Sequence, residues 1–269
     1  MPEGHTLHRL ARLHTRRYVG HPVSVSSPQG RFSAEAALLD GRRFEGAEAY
    51  GKHLFHRYGP QGTVHVHLGL YGAFAESPLP ETPPVGQVRM RIVGPTRWTD
   101  LRGASRCELL TDDEVHRIVS RLGPDPLRRD ADAGKAWRRV SRSRTPIAAL
   151  LMDQSVLAGV GNVYRAEVLF RHGIAPTGAG RDLDRAQWDD MWTDLVGLMR
   201  HGVRVGRIDT VRPEHMPEAT GRAPRQDRHG GEVYVYRRAG QPCHVCGTEI
   251  AGAELVARKL YWCPACQAC

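Results

Sequence analysis

Residues 150–170 read LLMDQSVLAGVGNVYRAEVLF. Apolar residues at helical spacing flank Gly159-Val160-Gly161-Asn162, so the stretch predicts two helices around a tight turn. Glycines directly ahead of a helix let backbone N–H groups converge on an anion, and the helix dipole adds to the attraction. Asn162 can donate a further bond from its amide. Alone, the pattern also fits an ordinary helical hairpin with a glycine turn. Its surroundings narrow the reading.

Upstream, Thr145-Pro146 supplies an N-cap and first-turn pair for IAALLMD. Downstream, VYRAEVLFRHG closes at Gly173, and a longer amphipathic helix spans about Asp182 to His201. GPDPLRRDADAGK reads as an interdomain linker. Before it, DDEVHRIVSRLG reads as a helix, and the stretch between the first helix and about Leu110 reads as β. There TVHVHLGLYG sets Val64, Val66 and Leu68 on one face against His65 and His67. VRMRIVG likewise sets Val88, Met90 and Ile92 opposite Arg89 and Arg91, and ESPLPETPPVG is a Pro-rich loop between the two. RIDTVRPEHMPEATGRAPRQDRHGG is polar and lacks periodicity, and reads as a mobile loop. EVYVYRR opens a small β unit, and no internal repeat is visible.

The chain has 269 residues and a formal net charge of +9, with a pI near 9.6. That length favours two domains, and the charge suits a polyanionic partner, most often nucleic acid. The basic residues are arginines except Lys52, Lys135 and Lys259, so an arginine-rich compositional bias competes with the functional reading. No apolar run approaches the roughly 20 residues that span a bilayer. Charge interrupts every apolar run near the start, so no signal-peptide core is present. The expectation is a cytoplasmic, nucleoid-associated protein with no membrane partner.

Of the six cysteines, five (Cys243, Cys246, Cys263, Cys266 and Cys269) crowd the last 27 residues. CHVC and CPAC are separated by 16 residues, the spacing of a zinc ribbon in a reducing compartment. Four thiolates close the coordination sphere, which makes such a zinc structural. Its role would be to hold a hairpin with Arg258 and Lys259 at its tip. A competing reading takes Cys263, Cys266 and Cys269 as part of an iron–sulfur run, but the fourth close cysteine is missing. Cys269 is then a spare thiol.

The chain starts MPEGHTLHRLA, with Pro2 and Glu3 directly ahead of Leu7, Leu10, Ala11 and His14 at helical spacing. In isolation this is an ordinary chain start. Lys52 in YGKHLF stands out in an arginine-dominated chain, because a lysine can give up a proton near neutral pH and an arginine cannot. A solvated lysine is the plain alternative.

MPEG, the solitary GK, LGPDPL, LLMDQSVLAGVGNVYRAEVLF and the terminal C-x2-C pairs occur here in one order. Together they resemble the formamidopyrimidine-DNA glycosylase/endonuclease VIII family of base-excision repair enzymes, across nearly the whole chain. The helix without an early lysine, YRAE and Leu70-Tyr71-Gly72 look more like the endonuclease VIII branch. The resemblance implies an α+β fold. A β-sandwich-like catalytic domain led by a helix (1–122) is followed by a linker (123–133) and a helix–two-turn–helix domain (134–206). A mobile loop (207–230) and a zinc finger (231–269) complete it.

It also implies that Met1 is removed and that the amine of Pro2 attacks C1′ of the damaged nucleotide. An α-amino group has a reference pKa about 2.5 units below lysine, and a helix N-terminus lowers it further, so the choice is chemically sensible. The iminium acidifies the 2′ proton, and β,δ-elimination then cuts the strand. Glu3 resembles the family's acid/base, and Lys52 its phosphate contact and proton donor to the leaving base. Asn162 and Arg258 resemble phosphate clamps, and Leu70 and Tyr71 the wedge that fills the gap of a flipped nucleotide. For Leu70, core packing beside Leu68 is the competing expectation.

Two departures stand out. Thr6 occupies the position of a second family glutamate, and TDLRGASR offers Arg102 but no wedge phenylalanine, which argues against 8-oxoguanine opposite cytosine as main substrate. The resulting expectation is a monomeric, bifunctional DNA glycosylase and abasic-site lyase for oxidised bases, chiefly pyrimidines. It acts on damaged DNA and carries one structural Zn2+. A non-catalytic damage-binding protein of the same fold is the alternative, and a zinc-ribbon regulator leaves MPEG and GK unexplained.

Overall fold

A computed structural model describes residues 2–226 and 231–268. The chain divides into two compact units, Met1–Arg121 and Leu122–Cys269. The first unit begins with helix α1 (Gly4–Tyr18), strand β1 (Ser24–Ser26) and helix α2 (Ser33–Leu39). Strands β2 (Gly46–Tyr50), β3 (His53–Arg57), β4 (Thr63–His67), β5 (Ala73–Pro78), β6 (Val88–Val93), β7 (Arg97–Arg102) and β8 (Arg106–Leu110) follow, then helix α3 (Asp112–Val119).

These strands form two antiparallel four-stranded sheets, ordered β1-β6-β7-β5 and β2-β3-β4-β8. The alternation read from the sequence sets their inner faces. Val25, Met90, Ile92 and Leu101 from one sheet share a core with Leu54, Val64 and Val66 from the other. Leu7, Ala11 and Tyr18 add the apolar stripe of α1. Arg17 grips Glu76 with two bonds of 3.1 and 3.2 Å, tying α1 to β5. α2 interrupts the stretch expected to be β throughout. SAEAALL is rich in strong helix formers, and Ala36 and Leu39 turn into the core. Thr111 and Glu114 form a reciprocal capping box that starts α3 where the sequence places a helix.

The second unit carries helices α4 (Ala133–Val140), α5 (Ile147–Leu150), α6 (Asn162–Arg171), α7 (Arg185–Val205) and α8 (Pro217–Thr220), then strands β9 (Ala251–Leu255) and β10 (Arg258–Trp262). Its core gathers Ile147, Leu151, Tyr164, Val168, Trp188, Met191 and Leu195. α7 starts three residues later than expected, because Asp184 and Gln187 form a capping box after a short 3-10 turn. The expected linker is not loose along its whole length. Gly123 N donates to Gln154 O (2.9 Å) and Ala158 N to Pro124 O (3.1 Å). A Cβ on Gly123 would lie 2.4 Å from the Val156 backbone, so this docking requires glycine. The stretch expected to be a mobile loop contains a 3-10 turn at Pro213–His215 and α8, and its residues 227–230 lie outside the described residues.

Candidate active site and nucleic-acid interface

In the first unit, Pro2 stands ahead of α1 and Glu3 is its N-cap, with extended backbone and a fully buried side chain. Thr6, in place of a second glutamate, lies 3.3 Å from His5 Nε2 through its hydroxyl. Burial, the N-terminal charge and neighbouring cations hold His5 down at about 4. Met1 lies outside the described residues. Lys52 follows Gly51 in the β2–β3 turn, where Gly51 adopts φ 57, a conformation that favours glycine. Lys52 is half-buried, and its charge acts on the imidazoles of His53 and His67.

The wedge candidates share one turn. Gly69 adopts φ 67 and breaks the alternation of β4. Gly72 N then bonds back to Leu68 O at 2.9 Å. Leu68 stays in the core, whereas Leu70 is 47% and Tyr71 86% exposed. Core packing is therefore excluded for Leu70, and both residues are exposed on the turn. A Cβ on Gly72 would meet Leu68 O at 2.2 Å, so the tightness of the turn is built in. Arg102 is occupied within its sheet, donating to Asp100 (2.7 Å) and to Val85 O (3.0 Å). Only Gly103, Ala104 and Ser105 separate β7 from β8.

In the second unit, the quoted turn is held by a residue that periodicity does not single out. The Gln154 amide donates to Met152 O (3.0 Å) and Val160 O (2.9 Å) and accepts from Gly159 N (2.9 Å). Gly159 adopts φ 91, Gly161 caps the helix, and Asn162 begins α6. Asn162 Oδ1 accepts from Arg165 Nη2, and the same nitrogen donates to Lys259 O at 2.8 Å. Arg165 is 1% exposed, so it joins the start of α6 to the β9–β10 hairpin from inside the unit. Glu167 does the same for the approach to the cysteines. It accepts from Thr210 Oγ1 (2.5 Å), Tyr234 N (2.6 Å), Val235 N (2.9 Å) and Tyr236 N (2.8 Å). The signal in the sequence is Arg165 and Glu167 set among the apolar residues from Val163 to Phe170, since charges buried in a core require partners.

Cys243, Cys246, Cys263 and Cys266 bring their Sγ atoms within 4.8 Å of one another. Individual separations are 3.4, 3.5 and 3.9 Å. Tetrahedral zinc with bonds of about 2.3 Å places its sulfurs about 3.8 Å apart, so the donor set fits one Zn2+. Gln267 anchors the second pair, accepting from Cys263 N (3.0 Å) and donating to Ile174 O (2.9 Å). Cys269 lies outside the described residues. Between the pairs, Val256 and Ala257 turn the hairpin at φ 50 and 53. Arg258 follows as the first residue of β10, exposed, and its side chain makes no hydrogen bond or ion pair among the described residues.

Three regions match known domains: residues 1–107 the formamidopyrimidine-DNA glycosylase N-terminal domain, 122–213 its H2TH domain, and 240–268 a zinc finger found in FPG and IleRS. Endonuclease 8 1 of Mycobacterium bovis is 57% identical over 99% of this chain and 100% of its own length, as is its Mycobacterium tuberculosis counterpart. Formamidopyrimidine-DNA glycosylase of a Synechococcus species is 33% identical over 78% of this chain and 75% of its own. Among solved structures, Lactococcus lactis Fpg in complex with abasic-site DNA shares the fold at TM-score 0.80 and 22% identity, covering 99% of this chain and 100% of its own. The same enzyme with N7-benzyl-Fapy-dG DNA gives 0.81 and 22%, with both chains fully covered.

The chain belongs to the formamidopyrimidine-DNA glycosylase family, whose members are DNA glycosylases with abasic-site lyase activity. The four cysteines form its structural zinc finger. No helix among the described residues is long and apolar enough to cross a membrane.

Proposed function

We propose that this protein excises oxidised pyrimidines from DNA and cuts the resulting abasic site through a Schiff base on Pro2. The observation that carries the reading is the Pro2-Glu3 start of α1 in a chain 57% identical to proteins named Endonuclease 8 1. The freed Pro2 nitrogen attacks C1′ while the glycosidic bond breaks. Lys52 protonates the departing base, and an iminium joins Pro2 to the opened sugar. Glu3 moves protons during ring opening. Loss of the 2′ proton expels the 3′ phosphate, and a second elimination expels the 5′ phosphate.

Asn162 and Arg258 hold phosphates of the damaged strand, and Leu70 and Tyr71 fill the space of the flipped nucleotide. The exposed pair at 70–71 and the three-residue β7–β8 turn, which has no phenylalanine, support pyrimidine lesions over 8-oxoguanine opposite cytosine. The enzyme acts as a cytoplasmic monomer on damaged DNA. The test is excision from duplexes carrying either an oxidised pyrimidine or 8-oxoguanine opposite cytosine. Faster release of the pyrimidine supports the reading, and the reverse order overturns the substrate assignment.

A further inference from the structure

One face of the β2-β3-β4-β8 sheet concentrates imidazoles beside Lys52. Antiparallel pairing sets His53 opposite His67, Phe55 opposite His65, and His65 opposite Glu108, so all five project from one face. His65 Nδ1 lies 2.9 Å from Glu108 Oε1, and His65 Nε2 lies 2.8 Å from His53 Nδ1. A carboxylate only accepts, so His65 carries its proton on Nδ1 and accepts at Nε2. His53 then donates from Nδ1. Phe55 stacks on His65 at 5.2 Å, and the His53 ring lies edge to edge with His65, centroids 5.0 Å apart and planes within 20°, as their hydrogen bond requires. The chain from Glu108 fixes both the tautomer and the ring plane of His53. Its Nε2 keeps a lone pair and makes no hydrogen bond among the described residues.

The charges around this ring are mixed. Lys52 precedes it in the turn, and Arg106 on β8 acts on His53, His65 and His67. On β2, Tyr50 pairs with His53, and Glu48 pairs with Phe55 and binds Arg57 at 3.1 Å. Burial, the neighbouring imidazoles, Arg106 and Lys52 together push His53 down to about 3. An anion docked at Lys52 opposes these effects, because an opposite charge within about 4–6 Å favours the charged form by roughly 1–3 pKa units. Glu108, at the far end of the chain, steadies the resulting imidazolium through His65.

We propose that His53 is a phosphate-binding residue that takes up a proton when DNA binds. Nε2 takes that proton from hydronium, forming an N–H bond as an O–H bond of solvent breaks, and the new N–H donates a hydrogen bond to an oxygen of the phosphate held by Lys52. The proposal rests on the assignment of Lys52 as a phosphate contact.

Calorimetric titration with an uncleavable abasic-analogue duplex, in two buffers of different ionisation enthalpy, reads proton uptake directly. The wild-type protein takes up a measurable fraction of a proton per complex near about pH 5 and almost none near about pH 8. His53→Gln loses that uptake and about threefold to tenfold in affinity at the lower pH, with little change at the higher. His65→Phe keeps the stacking, breaks the chain and behaves like His53→Gln. A wild type without uptake overturns the proposal whatever the variants do, and so does uptake equal in wild type and His53→Gln. Lys52→Ala separates the underlying assignment: it weakens binding at both pH values if Lys52 holds phosphate, and unchanged affinity overturns that assignment instead.

Discussion

Arg165 fixes the orientation of the Asn162 amide. Its guanidinium occupies Asn162 Oδ1, which leaves the two amide hydrogens as donors, and the same nitrogen holds the carbonyl of Lys259 beside Arg258. One buried side chain therefore orients one proposed phosphate clamp and pins the hairpin that carries the other.

Removing that link has a predictable effect. Arg165→Ala leaves the buried Asn162 Oδ1 without this partner, at a cost of about 1–3 kcal/mol, and releases the Lys259 carbonyl. Arg165→Lys cannot reproduce the fork. Both variants lower the melting temperature and weaken binding to abasic-analogue DNA. In a double-mutant cycle with Arg258→Ala, the binding losses combine to less than their sum. Strict additivity shows that the link does not position Arg258.

Arg258→Ala alone keeps its fold and its zinc. The hairpin fixes the backbone that presents the arginine, and the guanidinium suits phosphate oxygens. Affinity falls for every lesion type, and the salt slope of binding shrinks by about one unit. A loss confined to one lesion, with the slope intact, makes Arg258 a base reader instead.

Metal analysis finds one zinc per chain in a colourless protein. Cys246→Ser loses the metal and disorders the β9–β10 hairpin, so DNA affinity falls along with zinc content. A brown, iron-containing preparation overturns the assignment of Cys243, Cys246, Cys263 and Cys266 and implicates Cys269.

Much of this arrangement is legible in the sequence, and the gaps have physical causes. Alternation in VRMRIVG and TVHVH places the sandwich strands because each has one buried face. It misleads at Leu70, where Gly69 turns the chain and a period of two no longer applies. SAEAALL carries helix propensity, but it is too short for periodicity to separate it from its β surroundings. The cysteine spacing announces the metal site on its own. Gln154, Arg165 and Glu167 act through backbone groups distant in sequence, and no spacing rule reports such partners.

Asp194 contributes to the acid stability of the second unit. Burial pushes its carboxyl up, but hydrogen bonds from His172 and Arg171, and the Arg171 charge, outweigh it and hold the group at about 2. Its folded value is below the unfolded one of about 3.9, so its contribution is present above pH ~4 and is lost as pH falls toward ~2. That contribution is roughly 2 kcal/mol at neutral pH. The melting-temperature gap between wild type and Asp194→Asn therefore narrows between about pH 5 and pH 2. A gap that stays constant shows that the Arg171–Asp194 pair does not carry this dependence.

Lys52 and Glu3 separate chemistry from binding. Lys52→Ala slows base removal more than cleavage at a preformed abasic site, because only base removal needs a proton delivered to a leaving base. Glu3→Gln damages excision and keeps DNA affinity. Single-turnover assays on both substrates, with affinities measured alongside, check this. Equal loss of affinity in both variants marks a scaffold defect.

The nucleophile is tested most directly by borohydride trapping on abasic-site DNA. Reduction of the iminium gives a stable amine linking protein to sugar, and peptide mapping locates the link. A covalent adduct is expected at Pro2 in the wild-type protein. None is expected in a protein shown by mass spectrometry to retain Met1, because the proline nitrogen is then locked in a peptide bond. Full trapping by the Met1-retaining protein, or an adduct mapped to Lys52, contradicts the assignment of Pro2.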